Sequence, residues 1–259
     1  MTARKHPGRT LADRTILVTR PADRAASLVN QLDQRGARVL LAPAIGLRRV
    51  RSAALTEALH DLAAGRYAWL VLTSPSTVAM LTDRLASPSD VRAKVAAIGD
   101  GTSQAFERWA GRPPDRTPRT FTTIGLGAAF PAGEGRVLCP RADIAPEGLE
   151  ETLRAKGWTP DRVDAYRTVF LGTLPKAARD ALAAGEVDAV TFTSASTVRG
   201  FVGALGSVRG APKVVCIGPV TAREARAHGF TVHAVARPHT TEGLVAALER
   251  VFSRRRGNP

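Results

Sequence analysis

Short apolar runs alternate with amphipathic segments along most of this chain. "RTILVT" (14–19) is a β-branched run too short for a helix. The segment after it, "ADRAASLVNQLDQRG", sets Ala26, Leu28, Val29 and Leu32 on one helical face and stops at Gly36. "RVLLAP" (38–43) reads as the next strand. The same reading predicts strands near 67–73, 94–98, 136–139, 161–169, 187–193, 213–217 and 231–235. Between them it predicts helices near 52–63, 76–86, 101–110, 145–156, 174–184, 195–204, 219–228 and 241–252. Strands and helices in alternation predict an α/β fold, with parallel sheets covered by helices on both faces.

A long-period repeat lies over this pattern. "LVLTSPSTV" and "VTFTSASTV" place Thr73-Ser74 and Thr193-Ser194 120 residues apart, and Ile98-Gly99 precedes Ile217-Gly218 by 119. "LVTRPAD" (17–23) and "VLCPRAD" (137–143) add a weaker echo at a similar distance. A period this long indicates two similar α/β units from a domain duplication, not a solenoid. A length of 259 residues accommodates two ordinary domains.

The composition narrows the function. Apolar residues at 44% and charged residues at 23% suit a globular chain, and the longest apolar runs, such as "AWLVL", are far too short to span a bilayer. "MTARKHPGRTLADR" has no apolar stretch behind its basic residues, so no secretory signal and a cytoplasmic location are expected. Cys139 and Cys216 each sit in an apolar run and are expected to be buried, reduced and structural. Five scattered histidines and no cysteine pair at ligand spacing predict no metal site. The net charge of +14, mostly from arginine, lies partly in the basic ends and suits an acidic small molecule or a nucleic acid. Aromatic residues at only 5%, with no basic stripe, argue against nucleic acid.

The candidate chemistry falls where strands lead into helices, at the carboxyl edge where parallel sheets bind ligands. Thr73, Ser74 and Ser76, and likewise Thr193, Ser194 and Ser196, place hydroxyls at such turns. There they would cap the helix, and the free N–H groups of the helix N-terminus suit a carboxylate or phosphate. Thr102 in "AIGDGTSQAF" and Thr221 in "CIGPVTAREA" repeat the arrangement. Neither loop is a P-loop, and Gly99-x-Gly101 lacks the third glycine of a dinucleotide fingerprint, so no nucleotide cofactor is predicted. Arg20 and Arg141 end strands in matching places, suited either to a carboxylate or to a surface pair with Asp23 or Asp143. Tyr166 in "VDAYRTV" is one of two tyrosines; it is either half-buried with its hydroxyl in water or a proton donor to a leaving group. The other, Tyr67, precedes a strand and is expected simply to pack.

"ILVTRPAD", "GARVLLAPAI", "WLVLTSPSTV", "VAAIGDGTSQAF", "VLCPRADIAPEGLEETLRAKGW", "VDAYRTV", "DAVTFTSASTVRGF" and "CIGPVTAREARAHGF" follow one another as an ordered set from about residue 15 to 250. Together they resemble the uroporphyrinogen-III synthase family. The resemblance implies two flavodoxin-like parallel-sheet domains joined by a two-strand hinge, the second inserted into the first. Domain one would be residues 1–43 and 170–259, domain two 50–163, and the crossings 44–49 and 164–169. Both hydroxyl loops would then face a common cleft. The implied activity is that of a lyase of tetrapyrrole (haem, sirohaem and cobalamin) biosynthesis. It closes hydroxymethylbilane to uroporphyrinogen III with loss of water and inversion of ring D. The chain would act as a monomer without a cofactor, metal, nucleic acid or membrane, and would receive the bilane from hydroxymethylbilane synthase. The resemblance makes Tyr166 the proton donor. Arg20, Thr73, Ser74, Thr102, Arg141, Thr193, Ser194 and Thr221 would bind the eight substrate carboxylates. Asp100, by contrast, is an acid ill-suited to an anionic ligand.

The main alternative is a non-catalytic regulatory protein on the same scaffold, binding a tetrapyrrole or another anion. No segment is left over for a helix-turn-helix. A two-lobed periplasmic binding protein lacks its signal peptide here, and a receiver-like phosphoacceptor lacks its aspartate cluster.

Overall fold

A computed structural model describes residues 10–206 and 209–253; the basic ends, including Arg254 to Arg256, lie outside the described residues. The chain runs β1 (Thr15–Val18), α1 (Ala26–Gln34), β2 (Arg38–Leu41), β3 (Ile45–Arg49), α2 (Ala53–Ala63), β4 (Trp69–Leu72), α3 (Pro75–Thr82), β5 (Lys94–Ala97), α4 (Asp100–Ala110) and α5 (Thr123–Ala129). It continues with β6 (Arg136–Ala142), α6 (Gly148–Arg154), β7 (Thr159–Phe170), α7 (Lys176–Ala184), β8 (Ala189–Phe192), α8 (Ala195–Ala204), β9 (Lys213–Cys216), α9 (Pro219–Ala227), β10 (Val232–Val235) and α10 (Thr241–Ser253). This is the α/β architecture read from the sequence, with two five-stranded sheets.

Two elements escape the periodicity. β3 has only Ile45 buried along its length, so it lacks an apolar run. α5 has seven residues, two of them glycine. It forms because Thr122 caps Gly125 N and because Gly127 lies close against Thr152 of α6.

The chain divides into two compact units: residues up to Gly46 with those from Val169 onward, and Leu47–Thr168. The first unit holds the sheet β10-β9-β8-β1-β2, with every adjacent pair parallel. One face packs on α7, α8 and α9 through residues such as Leu182, Phe201 and Ala222. The other packs on α1 and α10 through Leu28, Leu32, Leu244 and Leu248. The order reverses between β1 and β8. There, buried Thr19 Oγ1 donates to Thr191 O at 2.7 Å and Thr191 Oγ1 donates to Leu17 O at 3.2 Å, so neither hydroxyl is orphaned.

The second unit holds β3-β7-β6-β4-β5, with β4/β5, β4/β6 and β6/β7 parallel. Its faces are covered by α2, α3 and α4 on one side and by α5 and α6 on the other. Matched through the sequence echoes, β6 corresponds to β1, β4 to β8 and β5 to β9. The row β7-β6-β4-β5 therefore repeats the row β2-β1-β8-β9. The order again reverses between two matched strands, β6 and β4. Tyr67 does more than pack. Its hydroxyl bonds Asp161 and accepts from Arg136 Nη2 at 2.8 Å, while Arg136 also binds Asp61 at 2.6 Å. Burial and the neighbouring Asp161 push the Tyr67 phenol well up. Cys139 and Cys216 are fully buried and unpaired, and burial raises both thiols.

Gly200 lets α8 lie against the segment after β2: a Cβ there would sit 2.4 Å from Ala44 O and 2.8 Å from Ile45 Cγ2. Gly200→Ala should therefore destabilise the protein by about 1–3 kcal/mol by overpacking, despite alanine's higher helix propensity. Urea unfolding measures it.

His233 Nδ1, on the edge strand β10, accepts the Val214 N–H of the neighbouring β9 at 3.1 Å, a bond only the neutral ring can make. Burial, then Lys213, lowers its pKa below the ordinary 6.5, against a weaker opposing contact with Thr231. The unfolded chain thus binds the proton first. Its stabilisation is complete above about pH 6.5 and is lost as the pH falls from there through the folded value. Melting temperatures from about pH 7.5 down to about pH 5 should fall more steeply for the native protein than for His233→Gln.

Candidate functional site

The hydroxyl loops sit at the carboxyl edges of β4 and β8, each beside the point where its sheet reverses order. Ser74 adopts extended backbone before α3, and its Oγ accepts from Thr77 N at 3.2 Å. Ser194 does the same before α8, accepting from Thr197 N at 3.1 Å, and Thr197 Oγ1 in turn accepts from Ser194 N at 3.1 Å. Both serines are thus helix caps.

Thr73 and Thr193, half-buried at the strand ends, make no side-chain hydrogen bond to another described residue. Thr102 and Thr221 stand in the first turns of α4 and α9, 3% and 4% exposed, and their hydroxyls likewise have no partner among the described residues. The opening N–H groups of these helices have no intrahelical acceptor, which gives each loop donors and a positive helix end. Asp100 is the first residue of α4, where its charge suits the helix rather than a ligand.

The two arginines differ. Arg20 lies just past β1, half-buried, with Nη1 at 3.4 Å from both Arg24 O and Thr241 Oγ1. Asp23 pairs with Arg24, not Arg20. Burial and the neighbouring Arg24 lower the Arg20 pKa, while Glu242 raises it. Arg141 lies inside β6 and is 2% exposed; Nη1 donates to Glu150 at 2.7 Å and Nη2 to Pro146 O at 3.3 Å. The expectation that Arg141 would meet a carboxylate ligand, or pair with Asp143 on the surface, is corrected. β6 pairs with β7 as far as Ala142, and this ladder carries the guanidinium into the interior, where Glu150 neutralises it.

Tyr166 reaches the site through a break in the strand ladder. Arg141 pairs with Asp164 but Ala142 pairs with Tyr166, so Ala165 is an extra residue in β7. Such a bulge reverses the alternation of side chains. Tyr166 therefore packs against the same core face as Val163 and Ala165, the face covered by α3. Its Oη lies 3.0 Å from Ser74 Oγ. The structure brings Tyr166, Ser74 and Thr77 together, with Thr73 adjacent in sequence. Sequence reading did not single out Thr77, although its spacing from Ser74 is the signal of a capping pair. It missed Glu150 too, because nothing local marks the partner of a buried arginine.

A family model described as "Uroporphyrinogen-III synthase HemD" matches residues 26–246. The chain belongs to the uroporphyrinogen-III synthase family. It is 30% identical to the uroporphyrinogen-III synthase of Synechococcus elongatus over 257 residues, covering 93% of this chain and 96% of that one. It is 31% identical to the porphyrin biosynthesis protein HemD of Ruminiclostridium josui, covering 90% of this chain but 47% of that longer one. Among solved structures, a mutant uroporphyrinogen III synthase from Thermus thermophilus has the same fold, with a TM-score of 0.64, 21% identity, and 93% and 99% of the two chains covered. The Helicobacter pylori uroporphyrinogen-III synthetase matches with a TM-score of 0.58, 15% identity, and 92% and 99% covered. No described helix is long and apolar enough to cross a membrane, and no group of three or more His, Cys, Asp or Glu among the described residues could hold a metal.

Because Arg141 and Glu150 are both buried, Arg141→Leu or Glu150→Leu alone should cost about 3–5 kcal/mol by stranding one charge. The double variant should recover most of that loss in denaturant unfolding, since it strands none.

Proposed function

We propose that this chain is the lyase that closes hydroxymethylbilane to uroporphyrinogen III, with loss of water and inversion of ring D. The observation that carries the reading is Tyr166, turned by the β7 bulge onto the capped start of α3 and hydrogen-bonded to Ser74, in a chain of this family. Tyr166 donates its phenol proton to the hydroxyl on the ring A hydroxymethyl carbon. The C–O bond breaks with its electron pair leaving on water, and the pyrrole nitrogen lone pair forms the exocyclic double bond. The substituted carbon of ring D attacks this electrophile, and the spiro intermediate fragments and recloses with ring D reversed. The proton released as the last ring becomes aromatic restores the phenol.

The remaining side chains act by binding. Thr73 and Thr102 in one unit, and Arg20, Thr193, Ser194 and Thr221 in the other, are the proposed carboxylate ligands, together with the free N–H groups beside them; Ser74 would take part only through its backbone, its hydroxyl being engaged by Thr77 and Tyr166. Four acetates and four propionates match a set rich in neutral donors, where holding a folded bilane matters more than acid strength. Arg141 is left out, its charge being held by Glu150.

Hydroxymethylbilane supplied to the purified protein should yield mostly the type III isomer; a product no richer in type III than the uncatalysed closure refutes the reading. Tyr166→Phe should lower kcat by at least about tenfold, short of the full effect of losing a sole general acid, and should keep type III selectivity. Stopped assays of isomer ratio and turnover check both.

A further inference from the structure

The hydroxyls around Tyr166 can hold their protons in only one arrangement. Thr77 is fully buried, and its Oγ1 has one hydrogen-bond partner among the described residues, Ser74 Oγ at 3.1 Å. A buried hydroxyl must donate, so Thr77 gives its proton to Ser74. Ser74 Oγ already accepts the Thr77 N–H at 3.2 Å. With both lone pairs occupied, its own proton has one described acceptor left, Tyr166 Oη at 3.0 Å. We infer that Thr77 and Ser74 form a one-way hydroxyl chain that makes Tyr166 an acceptor from the protein and leaves its phenol proton for a group outside it. The inference rests on the reading of Tyr166 as proton donor.

The matched loop of the other unit works differently. Thr197 Oγ1 donates to Ser194 O at 2.7 Å, and Ser194 Oγ meets Ser196 Oγ at 2.9 Å, so that chain closes on the loop itself with no tyrosine. The same Ser-x-x-Thr spacing therefore serves as a cap in one unit and as a cap plus positioning device in the other. When Tyr166 gives up its proton, the phenolate is held by a donor already in place. Ser74 and Thr77 are thus positioning residues for the proton transfer.

The test combines kinetics with tyrosine ring-carbon NMR, which follows phenol ionisation without substrate. Tyr67 and Tyr166 are the chain's only tyrosines, so Tyr67→Phe assigns both signals. Thr77→Val keeps the side-chain shape but removes the hydroxyl. It should lower kcat about three- to tenfold, leave KM unchanged and move the Tyr166 titration upward; Thr77→Ser should restore both. In a Tyr166→Phe background Thr77→Val should have no further effect on kcat. An equal loss in that background, or a Tyr166 titration that Thr77→Val leaves in place, overturns the chain. Undiminished turnover in Tyr166→Phe instead overturns the proton-donor reading, while the titration still decides the hydrogen-bond direction.

Discussion

Parallel pairing at the centre of each sheet is the constraint on which the rest depends. With β1 against β8 and β6 against β4, neighbouring strands end at the same edge. The helices that follow must start there. Their unpaired N–H groups accumulate at that edge, and the residues that cap a helix stand where parallel sheets in general take up ligands. Side-chain hydrogen bonds from Thr19 to Thr191 O and from Thr191 to Leu17 O add cross-strand ties to the central pair β1 and β8.

Duplication supplied two such edges, and they have diverged. In the first unit the arginine after β1 remains beyond the strand, near the start of α10. In the second the strand ladder runs further, and the matching arginine is drawn inside and neutralised. That longer ladder also carries the bulge that turns Tyr166 toward α3. One extension of pairing thus removes a charge from the edge and adds a phenol to it. The first unit keeps an arginine at its edge, and the second holds a tyrosine there.

Much of this was legible in the residues. Apolar runs located the parallel strands because strands buried on both faces need no polar alternation, and the echo of Thr-Ser located both loops. The ordered motifs pointed to the family, and Tyr166 could be named from its segment. What could not be read depends on pairing partners. Register is set by the neighbouring strand, so the slip at Ala165 leaves no mark in "VDAYRTV". The fate of Arg141 depends on Glu150, nine residues away on another element, and an arginine looks the same along the chain in either setting. The short α5 was hidden because glycine, needed there for close approach to Thr152, argues locally against a helix.

The order of the strands along the chain also bears on how the molecule is made. Ile16 pairs with Ala189, so the central ladder of the first unit waits for all of the second to be synthesised. The second unit is continuous, from Leu47 to Thr168, and has its own core on both faces of its sheet. It is able to fold first. Once folded, it replaces a long, floppy loop by a compact insert, which lowers the entropy lost when β1 finds β8. Substitutions that weaken the inserted unit would therefore slow assembly of the other, which they never touch, and would lower yield in the cell before they altered any rate in the assay.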